Sequence, residues 1–405
     1  MGVALGILTA IGGFLDIGDL VTNAVVGSRF GLGLAWVVVV GVAGICVYAQ
    51  MAGRVAAVSG RATFEIIRER LGARMALGNL GASFLINIMT LTAEIGGMAL
   101  ALQLASSLSP GLWIPVAAFF VWLIVWRVKF STMERVTGLV GLTLIVFAVA
   151  LFMLGPNWAD LAHQALQPAV PHSEAPATYW YYAIGLFGAA MTPYEVFFFS
   201  SGAVEEKWTR KDLSESRLNV FIGFPFGGVL SIAIAACAAV VLLPRGIDVT
   251  TLSQVIQPVA EAGGKILVII VIIGIVAATT GAALETTLSS GYTLAQFFGW
   301  PWGKFRKPSQ AARFHLTMLV CLVIGIAVLA TGVDPIKVTE FSVVFSAIAL
   351  PLTYLPILIV ANDPQYMGDL VNGKVMNAFG MVYLVIIFVA SIAAIPLMIV
   401  TGAGA

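Results

Sequence analysis

The apolar residues of this 405-residue chain run in long blocks separated by short polar connections, rather than alternating or recurring on one narrow face. A helix crossing a bilayer core needs about 20 consecutive, mostly apolar residues. Eleven blocks meet that length: roughly 3–27, 31–54, 81–107, 111–127, 134–155, 177–201, 216–243, 265–297, 311–332, 335–361 and 376–400. The pattern predicts an all-α polytopic membrane protein in one transmembrane domain. Two connections are long. Residues 156–176, with Pro168, Pro171 and Pro176, read as irregular. Residues 246–262 place Ile247, Val249, Leu252, Val255, Ile256 and Val259 at helical spacing, which predicts a short helix on the membrane surface.

Two blocks are interrupted. The first reads Gly12-Gly13-Phe14-Leu15-Asp16-Ile17-Gly18-Asp19-Leu20, the second Gly188-Ala189-Ala190-Met191-Thr192-Pro193-Tyr194-Glu195. They are the first members of two sets of five blocks, about 1–155 and 177–361, with the block at about 376–400 left over. An odd set length makes the second set insert upside down. Interrupted helices in matching positions of inverted repeats mark a substrate site near mid-membrane.

Composition agrees: 60% of residues are hydrophobic, 10% are charged, and mean hydropathy is +1.00. No soluble domain fits, and no basic run points to nucleic acid. Cys46, Cys237 and Cys321 lie in apolar blocks, which suits buried thiols rather than disulfides or zinc. The first block lacks a basic flank and carries two aspartates, so it reads as a span and not a signal peptide. Basic residues set the orientation. With the N-terminus inside, seventeen face the cytoplasm: Arg54, Arg61, Arg68, Arg70, Arg74, Arg127, Lys129, Arg135, Lys207, Arg210, Lys211, Arg217, Lys304, Arg306, Lys307, Arg313 and Lys374. Four face out: Arg29, Arg245, Lys265 and Lys337. The C-terminus is then outside. Compact connections favour a bacterial inner membrane, and a monomer is expected.

Six carboxylates fall inside spans: Asp16, Asp19, Glu94, Glu195, Glu285 and Glu340. No Lys or Arg lies deep enough to neutralise them. Each charge costs about 2.5–3.5 kcal/mol on insertion scales, so such residues are functional by default. Either they carry protons or a cation sits among them. Asp16 and Asp19, three apart, would share a helical face. Gly18 between them would let the backbone unwind and expose carbonyls. Pro193 removes an amide donor in the sixth span. Together with Thr192 and Glu195 these make an oxygen cage suited to Mg²⁺, Ca²⁺ or Mn²⁺.

Each residue also has a plainer role. Asp16 and Asp19 would serve as caps of a broken helix, and Glu195 as a helix-end residue at an aqueous vestibule. Glu94 would hydrogen-bond a neighbouring helix. Glu285 sits towards an inner vestibule and Glu340 towards the outer half of its span. Tyr194 fills space beside a polar wall, and Met191 packs rather than binding metal. Ala189 is a further, secondary candidate. His163, His172 and His315 lie in a loop or at a span end, away from any mid-membrane relay. No nucleotide-binding, metalloprotease, redox or hydrolase motif is present, so the chain is not expected to be an enzyme or to hold a cofactor.

The run Asp16-Ile17-Gly18-Asp19, continuing to Gly31, resembles the signature of the Nramp divalent-metal transporters, which reads DPGN. Gly188 to Ser201 resembles that family's sixth span, whose core reads MPHN, and here reads Thr192-Pro193-Tyr194-Glu195. Ala277 through Trp300 is similar, less specifically, to the eighth span. The resemblance implies a LeuT-like fold of two inverted five-helix repeats with broken helices 1 and 6. It also implies that Asp16 matches the metal-binding aspartate. Asp19 stands at an asparagine ligand, Thr192 at the methionine whose sulfur binds transition metals, Tyr194 at a histidine and Glu195 at an asparagine. Glu94 matches a glutamate of the third span, and Leu91 stands where a proton-carrying aspartate is expected. Losing the thioether and gaining a carboxylate shifts the site towards hard metals, and losing the proton groups weakens proton coupling. The pattern is similar to the Nramp-related magnesium transporters.

The expectation is therefore a secondary carrier of Mg²⁺ or Mn²⁺, weakly coupled or uncoupled to protons. The alternatives are a Na⁺- or H⁺-coupled carrier of an organic solute on the same fold, and a non-transporting membrane sensor.

Overall fold

The computed structural model describes residues 15–171 and 174–404. The Gly12-Gly13-Phe14 part of the first interruption, the first half of span 1 and His172 lie outside the described residues. The helices are α1 (Ile17–Phe30), α2 (Ala35–Ser59), α3 (Thr63–Ser106), α4 (Pro110–Arg127) and α5 (Phe130–Leu154, with a 3-10 turn at Leu142–Ile145). A short α6 (Trp158–Leu166) follows, then α7 (Pro176–Ala190) and α8 (Pro193–Glu205). Next come α9 (Leu213–Val241), α10 (Leu252–Phe298), α11 (Ala312–Ala330), α12 (Pro335–Ala361) and α13 (Lys374–Val400). Among the described residues ten helical segments are long and apolar enough to cross a membrane, with α7 and α8 taken as one.

Burial sorts these helices. The apolar window of α7–α8 is 94% buried, against 22% for α4 and 28% for α13. The interrupted helix is the centre of the bundle, and α4 and α13 stand at its rim. Rim side chains such as Phe119, Phe152, Ile266, Val385 and Ile392 are exposed because lipid, not protein, is their solvent.

Four sequence expectations change. The connection at 156–176 contains α6, capped by Asn157, whose side chain accepts from the Ala159 amide. The helix expected at 246–262 exists but is the first part of α10. Its Val255 and Val259 pack into the protein core, not onto the membrane surface. Gly263 and Gly264 break it from the span, Gly264 at φ 63°, where glycine alone is unstrained. The third block begins earlier than expected, at Thr63, with a break at Gly72 (φ 82°). Gly18 is not where the first span unwinds: it is helical, and the non-helical residue is Asp16 (φ −96°, ψ −178°).

Close backbone approaches fix the centre. A Cβ on Gly188 of α7 would lie 2.2 Å from the Val343 carbonyl of α12, and one on Gly27 of α1 would lie 2.1 Å from the Ala235 carbonyl of α9. At one end of the bundle Arg29, in the last turn of α1, grips Glu174 with two hydrogen bonds (Nε–Oε1 2.8 Å, Nη2–Oε2 3.1 Å). Its Nη1 donates to the Tyr182 hydroxyl and the Gly404 carbonyl. Arg70 pairs with Asp363 and Arg210 with Asp369. All three cysteines are buried and unpaired.

Candidate functional site

Both interruptions come together, at the starts of α1 and α8. Asp16 is the N-cap of α1: its Oδ1 accepts from the Asp19 amide at 2.8 Å. Thr192 precedes Pro193, which holds it extended (φ −62°, ψ 126°) and supplies the first residue of α8 without an amide to satisfy. Met191 is also non-helical, and its carbonyl accepts from the Tyr354 hydroxyl at 3.2 Å. Ala189 lies in the last turn of α7, where carbonyls lose their helical partners.

The side chains cross-brace the breaks. Tyr194 donates from its hydroxyl to Asp16 Oδ2 at 3.2 Å, so α8 holds the carboxylate that caps α1. The Thr192 hydroxyl donates to Glu195 Oε2 at 3.1 Å. Glu94 of α3 accepts the Ile17 amide on both oxygens, at 3.2 and 3.4 Å. The carboxylates of Asp16, Glu94 and Glu195 therefore all lie at helix N-termini, Glu94 reaching that of α1 from mid-α3, where the dipole favours negative charge. None of the ion pairs among the described residues involves these carboxylates, Asp19 or Glu285.

A small polar cavity opens beside Asp16. Asp16, Gly18, Thr90, Glu94, Thr192, Thr339, Ser342 and Ser346 line it, with Ile17, Ala93 and Val343. Of the four principal candidates, then, Asp16 and Thr192 face it directly. Glu195 is buried behind Thr192. Asp19 does not line the cavity and turns towards α9, where Ser231 lies against its carboxylate. Among the described residues no three His, Cys, Asp or Glu side chains are grouped to hold a metal ion.

The other candidates separate by depth. Glu285 of α10 is buried and feels the negative charge of Glu195, Glu134 and Asp16. Glu340 is half-buried in a second small cavity towards the Arg29 end, lined by Thr22, Tyr181, Tyr182 and Val343. Met191 is turned away: a Cβ on Gly44 would meet its sulfur at 2.7 Å, and Tyr383 packs there too.

Thr90, Thr339, Ser342 and Ser346 were not singled out by the sequence. Thr90 and Ser342 share a hydrogen bond of 2.9 Å across α3 and α12. The signal was available as buried polar stripes. Asn79, Ser83, Asn87, Thr90 and Glu94 recur every third or fourth position of α3, and Thr339, Ser342 and Ser346 do so on α12.

The sequence model of the Nramp family, described as natural resistance-associated macrophage protein-like, matches residues 6–396. This chain belongs to the Nramp family. Its members are transporters, not enzymes, and carry no cofactor. Among curated relatives the chain is 27% identical to the divalent metal cation transporter MntH of Pectobacterium carotovorum, over 93% of this chain and 89% of that protein. It is 25% identical to MntH of Acidiphilium cryptum, over 88% of this chain and 81% of that protein. The fold resembles the crystal structure of the Eremococcus coleocola manganese transporter, with TM-score 0.74 and 18% identity, over 96% of this chain and 85% of that one. It also resembles a Na⁺-coupled sialic acid symporter, with TM-score 0.64 and 13% identity, over 97% and 89%. The Nramp chain is thus an integral membrane protein of LeuT-like architecture.

Proposed function

We propose that this Nramp chain moves a divalent, hard metal ion, Mg²⁺ or Mn²⁺, across the membrane by alternating access, with the ion held at the two helix breaks. Asp16 carries this reading: a buried carboxylate at the unwound end of α1, facing a polar cavity shared with the other break, and offset by no cationic side chain. The names of the curated relatives support the divalent class.

Asp16 is the central ligand, with the Thr192 hydroxyl and main-chain carbonyls of the breaks, Ala189 included. Thr90, Ser342 and Ser346 hold waters of a partly hydrated ion, since Mg²⁺ gives up water reluctantly. Tyr194 orients Asp16, Glu195 acts through Thr192, and Glu94 and Glu285 add negative charge. Glu340 draws ions from the outer side. Met191 turns its sulfur away and Tyr194 replaces an imidazole, which favours oxygen-seeking metals and leaves the centre without a histidine to relay protons.

The chain works as one transport domain of two inverted five-span halves, 1–155 and 177–361, plus the span at 376–400. It lies in the bacterial plasma membrane with the N-terminus inside, acts as a monomer, and runs on the membrane potential, worth about 2.3 kcal/mol per charge per 100 mV.

Proteoliposomes loaded with a metal indicator and a pH dye test this reading. Mn²⁺ and Mg²⁺ uptake without acidification is expected under an inside-negative potential, and Asp16→Ala is expected to abolish it while leaving the protein folded. Uptake at wild-type rate in that variant would sink the site assignment. No metal uptake by the wild type would replace the divalent ion with an organic solute.

A further inference from the structure

The Asp19 carboxylate belongs to a different set of partners from Asp16. Asp19, Asn23 and Gly27 recur at intervals of four on α1 and so form one stripe. That stripe faces α9. Gly27 meets the Ala235 carbonyl too closely for a methyl group, and one turn earlier Ser231 lies against the Asp19 carboxylate. All three polar side chains of this seam are sealed from solvent: Asp19 is 1% exposed, Asn23 and Ser231 0%.

Sealed polar atoms are ordinarily paired, and an unpaired one costs about 1–3 kcal/mol. Here Asn23 Oδ1 lacks a partner, and Asp19 Oδ2 and Ser231 Oγ have no well-formed hydrogen bond beyond the approach of the Ser231 hydroxyl to the Asp19 carboxylate. Asp19 Oδ1 has only a long contact of 3.5 Å with Asn23 Nδ2, whose better bond is to the Asp19 carbonyl at 2.9 Å. Ser231 is the more telling case. Thr286, Thr287, Ser290 and Thr293, buried in α10, each return the hydroxyl proton to the carbonyl four residues back. Ser231 has that option and does not take it.

We infer that Asp19, Asn23 and Ser231 form a second cation site, between α1 and α9, for a monovalent alkali ion of the Na⁺ class. The ligand chemistry sets the class. One carboxylate with one amide oxygen and one hydroxyl carries a single negative charge, which one monovalent ion neutralises. All the donors are hard oxygens, and neither sulfur nor imidazole is present. The seam is separate from the cavity that Asp16 lines, but not independent of it. The Asp19 amide is the donor to Asp16 Oδ1, so an ion drawn to Asp19 bears on the cap of α1 through a single residue.

Thermal unfolding of the purified full chain in detergent tests this, with NaCl titrated against choline chloride at constant ionic strength and KCl in parallel. The wild type is expected to gain stability saturably with Na⁺ and not with choline. Asp19→Asn is expected to lose the gain. Ser231→Ala, which removes only one hydroxyl, is expected to raise the Na⁺ midpoint about tenfold, one ligand's contribution. No Na⁺-specific gain in the wild type overturns the site whatever the variants do. So does a gain that persists unchanged in both variants. A Mn²⁺ titration of the wild type in choline chloride reports on the metal centre alone, so failure of one site is distinguishable from failure of the other.

Discussion

At the scale of single residues, Asp16 has two tasks: one oxygen caps a helix and the other takes a proton donor from a second helix. A bound cation would relieve the second. Tyr194→Phe removes that donor. It is therefore expected to lower the stability of the metal-free protein, by about the 1.5–3 kcal/mol of a hydrogen bond to a charged group. The deficit should narrow as Mn²⁺ saturates, because the metal takes over the freed oxygen. Unfolding curves with and without Mn²⁺ check this, and a deficit insensitive to Mn²⁺ would mean that Asp16 does not meet the ion. Residue chemistry was the most legible part of the chain. Carboxylates inside apolar blocks announce themselves, as does a proline within a span. Neutral hydroxyls do not, because a Ser or Thr in an apolar helix usually bonds its own backbone. Thr90 and Ser342 escaped for that reason. Glu94 announced itself, but its partner did not: the Ile17 amide is 77 residues away, and only folding brings them together.

At the scale of helices, block length gave the spans because bilayer thickness leaves a helix little choice. The interiors of the breaks were harder. Gly18, chosen for its freedom, is helical, whereas Asp16 is extended because its side chain replaces the missing backbone partner. The surface helix expected at 246–262 was visible by periodicity, yet periodicity could not say that protein rather than lipid covers its apolar face. Packing between helices was not legible at all, since a glycine in a span reads the same whether it meets lipid or backbone. Two glycines separate these cases. Gly27→Ala is expected to push α1 from α9 and cost about 1–3 kcal/mol or more, read as loss of folded, monodisperse protein. Gly81→Ala, with nothing within 4 Å, is expected to be tolerated, and helix propensity alone makes it favourable by up to about 1 kcal/mol. Equal behaviour of the two would contradict the α1–α9 contact.

At the scale of the whole molecule, the described residues are closed at the Arg29 end. Arg29 joins the exit of α1 to Glu174, just before α7, and to the Gly404 carbonyl, and the cavity around Glu340 beneath it is small. On the alternating-access reading proposed above, this clasp opens in each cycle. Glu174→Gln keeps the shape and removes the charge, so it is expected to favour the state open on that side. A cysteine placed at Thr22, which lines the cavity below the clasp, should then react faster with a membrane-impermeant maleimide in Glu174→Gln than in the parent. Equal rates would show that the clasp does not gate access.

The burial of the native cysteines makes that comparison clean. Cys46 is 3% exposed, and Cys237 and Cys321 are 0%. Their sulfurs are turned inward, Cys46 onto the Val220 carbonyl and Cys237 onto the Phe147 carbonyl. The unaltered chain is in effect a blank background for thiol chemistry. Reporter positions can be introduced one at a time, at either terminus to fix sidedness or along α1 to follow its movement, without first stripping out the residues that nature placed there.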